Sequence, residues 1–438
     1  MIKQLWFKTS NNIRLKKVIE FLCFAFFGVY IFSIGAFSGR SFFNYFSITS
    51  GLLMIFIMFL YVLFFGKFKF DLFTILIINF SFSFLLSNLI NLSFSSFPKS
   101  VFTQAFMSLI MYQFFISIKK GRIKLLLPIM VFAGLAFFLL YFIHYRSEII
   151  SFNFGNRLGS YFDNENEIAK EFGYLGIVAF CGGIYGKHYF GKAPKIFSVL
   201  FRIMCFFAWL LFLFAVLTTG SISNLLVILL VTFLVTLLSI KSVKYKIVFV
   251  VSVSVFVGAL FLFLQLPFMS NFNKRLNNII NTFFNGGEDG DASSNLRFYA
   301  LIQYIQLFFL RPLFGFGYGQ GKMFTAYNMV AHSSIAELLT CTGLFGFISF
   351  ELILFLAIIL TKKKMKKYCI SFVLLYVIIF QLFISSIYHA KFEYVFISIA
   401  FAIRCDCLEF NLLNYKLKTF ITYGSFWSST PEFMEINV

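Results

Sequence analysis

Apolar windows of about 17–25 residues, the length a helix needs to cross a bilayer, follow one another along almost the whole chain. They fall near 18–37, 42–65, 70–90, 101–118, 125–143, 168–186, 196–217, 222–240, 247–267, 335–360, 368–388 and 392–410. Inside hydrocarbon every backbone N–H and C=O must find a partner within the protein, which leaves helices as the economical solution for windows of this length. The expected fold is therefore an all-α polytopic membrane protein of about 12 transmembrane helices, with residues 1–438 forming a single integral membrane domain. Composition agrees: 60% of residues are hydrophobic and 12% charged, where soluble chains carry about 25% charged residues. The first seventeen residues are polar and basic. The apolar run after them is long enough to span and lacks a small-residue cleavage site, so no cleavable signal peptide is expected.

A formal net charge of +20 would suggest a nucleic-acid partner in a soluble protein. Here its distribution excludes that class. Lys and Arg concentrate in alternate connections, as in Lys119, Lys120, Arg122 and Lys124, or in the run from Lys362 to Lys367. The connections between them are poorer, even though they include the longest. Basic residues stay in the cytoplasm, so both termini are expected there. The 71 phenylalanines need no ligand, since Phe inserts about as well as Leu.

The seven cysteines show no metal-binding or disulfide spacing, and the acidic turn of Glu288, Asp289 and Asp291 lacks the pattern of an EF-hand loop. No metal and no cofactor are expected. Nor is there a Walker-type phosphate loop, and the cytoplasmic connections are too short for a nucleotide fold. An enzyme built this way needs an activated donor already in the membrane. A polyprenyl-diphosphate-linked sugar meets that need, because its lipid partitions into the bilayer and its diphosphate is a leaving group. The absence of an internal repeat counts against a secondary transporter.

Two connections on the expected outer side, 144–167 and 268–334, hold the residues suited to chemistry. The second lies between helices 9 and 10. It contains LRFYALIQYIQLFFL, whose helical apolar spacing reads as an amphipathic helix at the membrane surface, with Arg297 near its start and Pro312 after its end. Gly315, Gly317, Gly319 and Gly321 then permit tight turns and close approach of backbone to a ligand. Arg157 and Arg297 read either as arginines snorkelling to lipid phosphate or as planar forks that clamp a diphosphate. Asn164 and Asn166 carry amides that both donate and accept, as sugar hydroxyls require. His332 is either a helix-end histidine or a base or cation working near neutral pH. Ser333 or Ser334 caps the helix that follows, and Glu337 completes a capping box if Ser334 is the cap. Asp71, Lys170 and Glu351 fall near predicted membrane ends, where interfacial positions are expected.

The order of these marks resembles the O-antigen polymerase and O-antigen ligase group of bacterial surface-polysaccharide enzymes. That group shows an Arg, then P-L-x-G-x-G, then a His opening a helix that reaches G-x-x-G. Arg297, Pro312-Leu313-Phe314-Gly315-Phe316-Gly317, His332 and Gly343-Leu344-Phe345-Gly346 stand in those places. Arg157-Leu158-Gly159 and Asn164-Glu165-Asn166 resemble the group's Arg, Gly and N-P-N, without the proline. Ser333 stands where the group has Asn, and Thr218-Thr219-Gly220-Ser221-Ile222 replaces the Arg of its S-G-S-R-G hairpin with Ile.

The resemblance implies a GT-C-like membrane glycosyltransferase acting on polyprenyl-diphosphate-linked oligosaccharide at the outer membrane face. His332, Arg297 and Arg157 would be its catalytic residues, and Asn164, Asn166, Glu337, Gly315 and Gly317 its substrate contacts. A polymerase would join undecaprenyl-diphosphate-linked repeat units into O-antigen or capsule, with a chain-length regulator and a flippase as further partners. A ligase would move finished glycan to another acceptor. A lipid-linked oligosaccharide flippase is the rival from another class.

Overall fold

The structure is a computed structural model. It describes residues 11–36, 41–66, 68–92, 98–118, 122–151, 158–162, 164–186, 195–264, 273–274, 277, 292–326, 328–331, 333–362, 370–383 and 391–405. Each apolar window coincides with a helix: α1 (Asn11–Ala36), α2 (Ser41–Phe65), α3 (Leu72–Ile90), α4 (Lys99–Ser117), α5 (Leu126–His144), α6 (Glu165–Tyr185), α7 (Lys195–Thr218), α8 (Ile222–Ser239) and α9 (Val243–Leu264). After these come α10 (Ala292–Leu310), which is the expected amphipathic helix, then α11 (Ser334–Lys362), α12 (Ile370–Phe383) and α13 (Lys391–Cys405). Among the described residues there is no strand, and nine helices are long and apolar enough to cross a membrane. The protein is a multi-pass all-α membrane protein.

Helix α6 is the centre of the bundle. Its apolar window is 94% buried, against 33–61% for the other candidate spans. Glycines let its neighbours close in, as small residues do between membrane helices: a Cβ at Gly173 would overlap the Tyr376 hydroxyl, and one at Gly182 would stand 2.8 Å from Cys205 Sγ. Around it pack α5, α7, α8 and α12. Helix α13 bridges to the remainder. Its Phe392 stacks on Tyr174 of α6 and its Phe396 packs tilted against the same ring, while Ser398 bonds Ser108 of α4 at 2.7 Å.

Helix α11 departs from the expected single span. Its 29 residues would reach about 43 Å at 1.5 Å per residue, more than the roughly 30 Å of hydrocarbon. The excess is removed by a break at Gly343, whose φ of 64° and ψ of −163° are not helical. A short half, 334–342, precedes the break and a bilayer-length half, 344–362, follows it. Helix α3 runs antiparallel beside the longer half, with Asn79 donating to Ser349 at 2.9 Å. The break therefore lies level with the C-terminal end of α3.

Candidate active site

Breaking a helix exposes carbonyls on one side and N–H groups on the other, and both need partners if buried. The segment from Arg311 to Tyr318 supplies them. Before the break, the Phe316 N–H donates to the Thr340 carbonyl at 2.8 Å and the Gly317 N–H to the Cys341 carbonyl at 2.9 Å. After the break, the Leu344 N–H donates to the Pro312 carbonyl at 2.8 Å and the Phe345 N–H to the Leu313 carbonyl at 3.2 Å. The P-L-x-G-x-G run is thus a backbone splint across the G-x-x-G break.

Its glycines serve this close approach. A Cβ at Gly315 (φ 64°) would stand 2.5 Å from the Cys341 carbonyl carbon, and one at Gly343 would stand 2.3 Å from that of Leu313. The close backbone approach expected at Gly315 and Gly317 is made to α11. The end of α3 holds the splint from beneath. Ser87 donates to the Cys341 carbonyl at 2.6 Å, Asn91 to the Gly315 carbonyl at 2.9 Å, and Asn88 accepts from the Tyr318 N–H at 2.7 Å. The Tyr318 and Ser100 hydroxyls share a 2.7 Å bond.

Helix α10 lies along the short half of α11. Thr340 donates to the Tyr304 carbonyl at 2.8 Å, and Tyr304 and Leu301 pack with Ala331 and Ala336. Arg297 lies seven residues before Tyr304 on α10. Arg297 is half-buried. His332 itself lies outside the described residues.

Ser333 is the cap: its Oγ accepts from the Ala336 N–H at 3.4 Å and its carbonyl from the Glu337 N–H at 3.0 Å. Glu337 is consequently one position too far along for a capping box, and it is fully buried. Burial also pushes the phenols of Tyr304 and Tyr318 above their ordinary range, with the nearby Glu337 adding to the effect. Both stay neutral hydroxyls.

The second group forms at the start of α6. Asn164 is its N-cap, accepting from the Asn166 N–H at 2.9 Å. The Asn166 side chain accepts from Ser221 at 3.0 Å and its carbonyl from Asn224 at 3.1 Å, and Tyr376 donates to Asn224 at 3.3 Å. Asn166 thus fastens the start of α6 to the tight α7–α8 hairpin, where the Leu158 N–H also donates to the Thr218 carbonyl at 3.1 Å. Gly159 takes φ 136° against Glu165. Arg157, the residue before Leu158, lies outside the described residues, as do Glu288, Asp289 and Asp291.

One turn further in, Lys170 is 2% exposed, not interfacial as its place in the sequence suggested. It pairs with Glu167 at 2.5 Å and lies within electrostatic reach of Glu393, which accepts from Tyr174 at 2.6 Å. Glu167 is a local partner one turn back, while Glu393 comes from α13, far along the chain, where no local pattern announced it. A second residue missed from sequence is Arg311. It donates to Asn91 and sits 4.8 Å from the Phe316 ring.

The splint, the break, α10 and the α7–α8 hairpin fall within one stretch, and that stretch decides the comparison. Residues 206–351 match the family model described as O-antigen ligase. Over this stretch the chain is similar to O-antigen ligase. The match covers about a third of the chain, takes in Arg297, Gly315, Gly317, His332 and Glu337, and bears out the resemblance to the O-antigen polymerase and ligase group. No curated protein matches the chain. This match and the multi-pass helical bundle together support a membrane protein of O-antigen or glycan assembly.

Proposed function

We propose that this protein is a glycosyltransferase that polymerises undecaprenyl-diphosphate-linked repeat units into a surface polysaccharide at the outer face of the bacterial cytoplasmic membrane. The observation that carries the reading is the splinted break in α11. It holds a short half-helix beside α10, the helix that carries Arg297, and His332 precedes that half-helix in the sequence. A cation and a base held together at a membrane mouth are what transfer from a lipid diphosphate requires.

In this reading the acceptor hydroxyl oxygen forms a bond to the anomeric carbon of the donor glycan, and the bond from that carbon to the diphosphate oxygen breaks. Arg297 and Arg157 hold the departing diphosphate through charge-assisted hydrogen bonds. His332 takes the hydroxyl proton. Asn164 and Asn166 shape the sugar-binding edge while fastening its loop. Gly315 and Gly317 line the mouth from the splint, and Glu337 supports His332. The lipid-linked oligosaccharide is both donor and acceptor, and a flippase and a chain-length regulator are the expected partners.

The description of the matched family favours a second reading, a ligase that moves finished glycan to a different acceptor. The glycan of a deletion strain separates the two. Single repeats left on lipid are expected for a polymerase, and long chains left unattached mark a ligase. An unchanged surface glycan would defeat both.

A further inference from the structure

We propose that Arg311 binds the diphosphate of the acceptor carrier lipid, a role separate from the donor site. This rests on the polymerase reading, in which donor and acceptor both arrive on polyprenyl diphosphate. Two diphosphates then meet at one mouth, while Arg157 and Arg297 account for only the donor's.

Arg311 has the placement a second anion contact needs. It begins the splint, directly after α10, and is exposed beside the C-terminal end of α3. Its aim is fixed from two sides. One guanidinium nitrogen donates to the Asn91 side-chain carbonyl, and the Phe316 ring lies 4.8 Å from the guanidinium carbon. Both anchors are themselves held: Asn91 donates to the Ser87 and Gly315 carbonyls at 2.7 and 2.9 Å, and the Phe316 N–H is bonded to Thr340.

A guanidinium has five N–H donors, and among the described residues Asn91 is the acceptor that Arg311 reaches. The side chain is exposed, so phosphate oxygens can reach its remaining donors in the planar fork that suits them. A snorkelling arginine needs no such anchoring, because lipid headgroups are mobile.

The test uses the purified full chain in vesicles. The donor is a lipid-linked repeat unit whose acceptor hydroxyl is blocked, so that it only donates. Two acceptors are compared: the repeat unit on a short polyprenyl diphosphate, and the same oligosaccharide as an alkyl glycoside without phosphate. Arg311→Ala is expected to raise the KM for the diphosphate acceptor about tenfold, the effect of losing a charge-assisted contact. The KM for the glycoside and for the donor should not change. Arg311→Lys, which keeps charge without the fork, should recover part of the loss. Equal loss on both acceptors, or loss on neither, overturns the inference. A loss seen only in vesicles of anionic lipid also overturns it and assigns Arg311 to headgroups. Absence of product from the unsubstituted protein with either acceptor defeats the polymerase reading itself.

Discussion

Gly343 and Leu313 touch backbone to backbone: a Cβ on the glycine would stand 2.3 Å from the leucine carbonyl carbon. Neither backbone can yield without breaking the hydrogen bonds from Leu344 to Pro312 and from Phe345 to Leu313. Gly343→Ala is therefore expected to combine the cost of a positive φ, about 1–2 kcal/mol, with loss of the splint. Gly315→Ala should behave alike, with its Cβ 2.5 Å from Cys341. Gly319 (φ 70°) has no atom within 4 Å of its Cβ position, so Gly319→Ala should show the conformational cost alone. Thermal unfolding of the three variants in detergent checks the order. Equal shifts for all three would remove the splint.

The two arginines are expected to tolerate lysine poorly. If each holds the donor diphosphate through a bidentate fork, Arg157→Lys and Arg297→Lys lose geometry while keeping charge. The expected loss is about tenfold to a hundredfold in kcat/KM, and each Arg→Ala should abolish polymer while the protein still reaches the membrane. Wild-type polymer length in both Arg→Lys variants would reduce the pair to general electrostatic contacts.

For His332 the expected effect falls on rate. General-base assistance contributes about 10²–10⁴-fold, or about 3–5 kcal/mol of barrier. His332→Ala should cut turnover by that range and leave donor binding nearly intact. Rescue by His332→Arg, with binding and rate falling together in the Ala variant, would instead make it a phosphate-holding cation.

Much of this architecture was legible in the sequence, because hydropathy over a window of about 20 residues reports helix length directly. All twelve windows returned as helices. The break in α11 was not legible by the same means: averaging over a span hides one residue with positive φ, and the flanking residues of 334–362 are as apolar as any. Its signal was length, since 29 residues overshoot the bilayer and contain a glycine pair. Pairing the two glycine motifs with each other would have predicted the splint. Lys170 failed for another reason. Its ion-pair partner Glu167 is one turn away, but the second carboxylate, Glu393, is brought near only by the packing of α13 on α6. Asn164 and Asn166 read as sugar-binding amides because amides suit hydroxyls. The same donors and acceptors also suit a helix cap and a hairpin, and those are the bonds they make.

Orientation has its own test. A reporter fused after Lys322 is expected to score outside the cytoplasm and one after Lys364 inside, because the basic run beginning at Lys362 resists translocation. Both on one side would remove the span between them and move the mouth away from the lipid-linked donor.

Reconstitution tests the central claim most directly. The purified protein is placed in liposomes with undecaprenyl-diphosphate-linked repeat units as the only glycan and no nucleotide sugar, and products are separated by size. A polymerase predicts a ladder rising in whole repeats, lost in the Arg297→Ala and His332→Ala variants. Single repeats that stay single until a chemically different acceptor lipid is added would contradict it and establish a ligase.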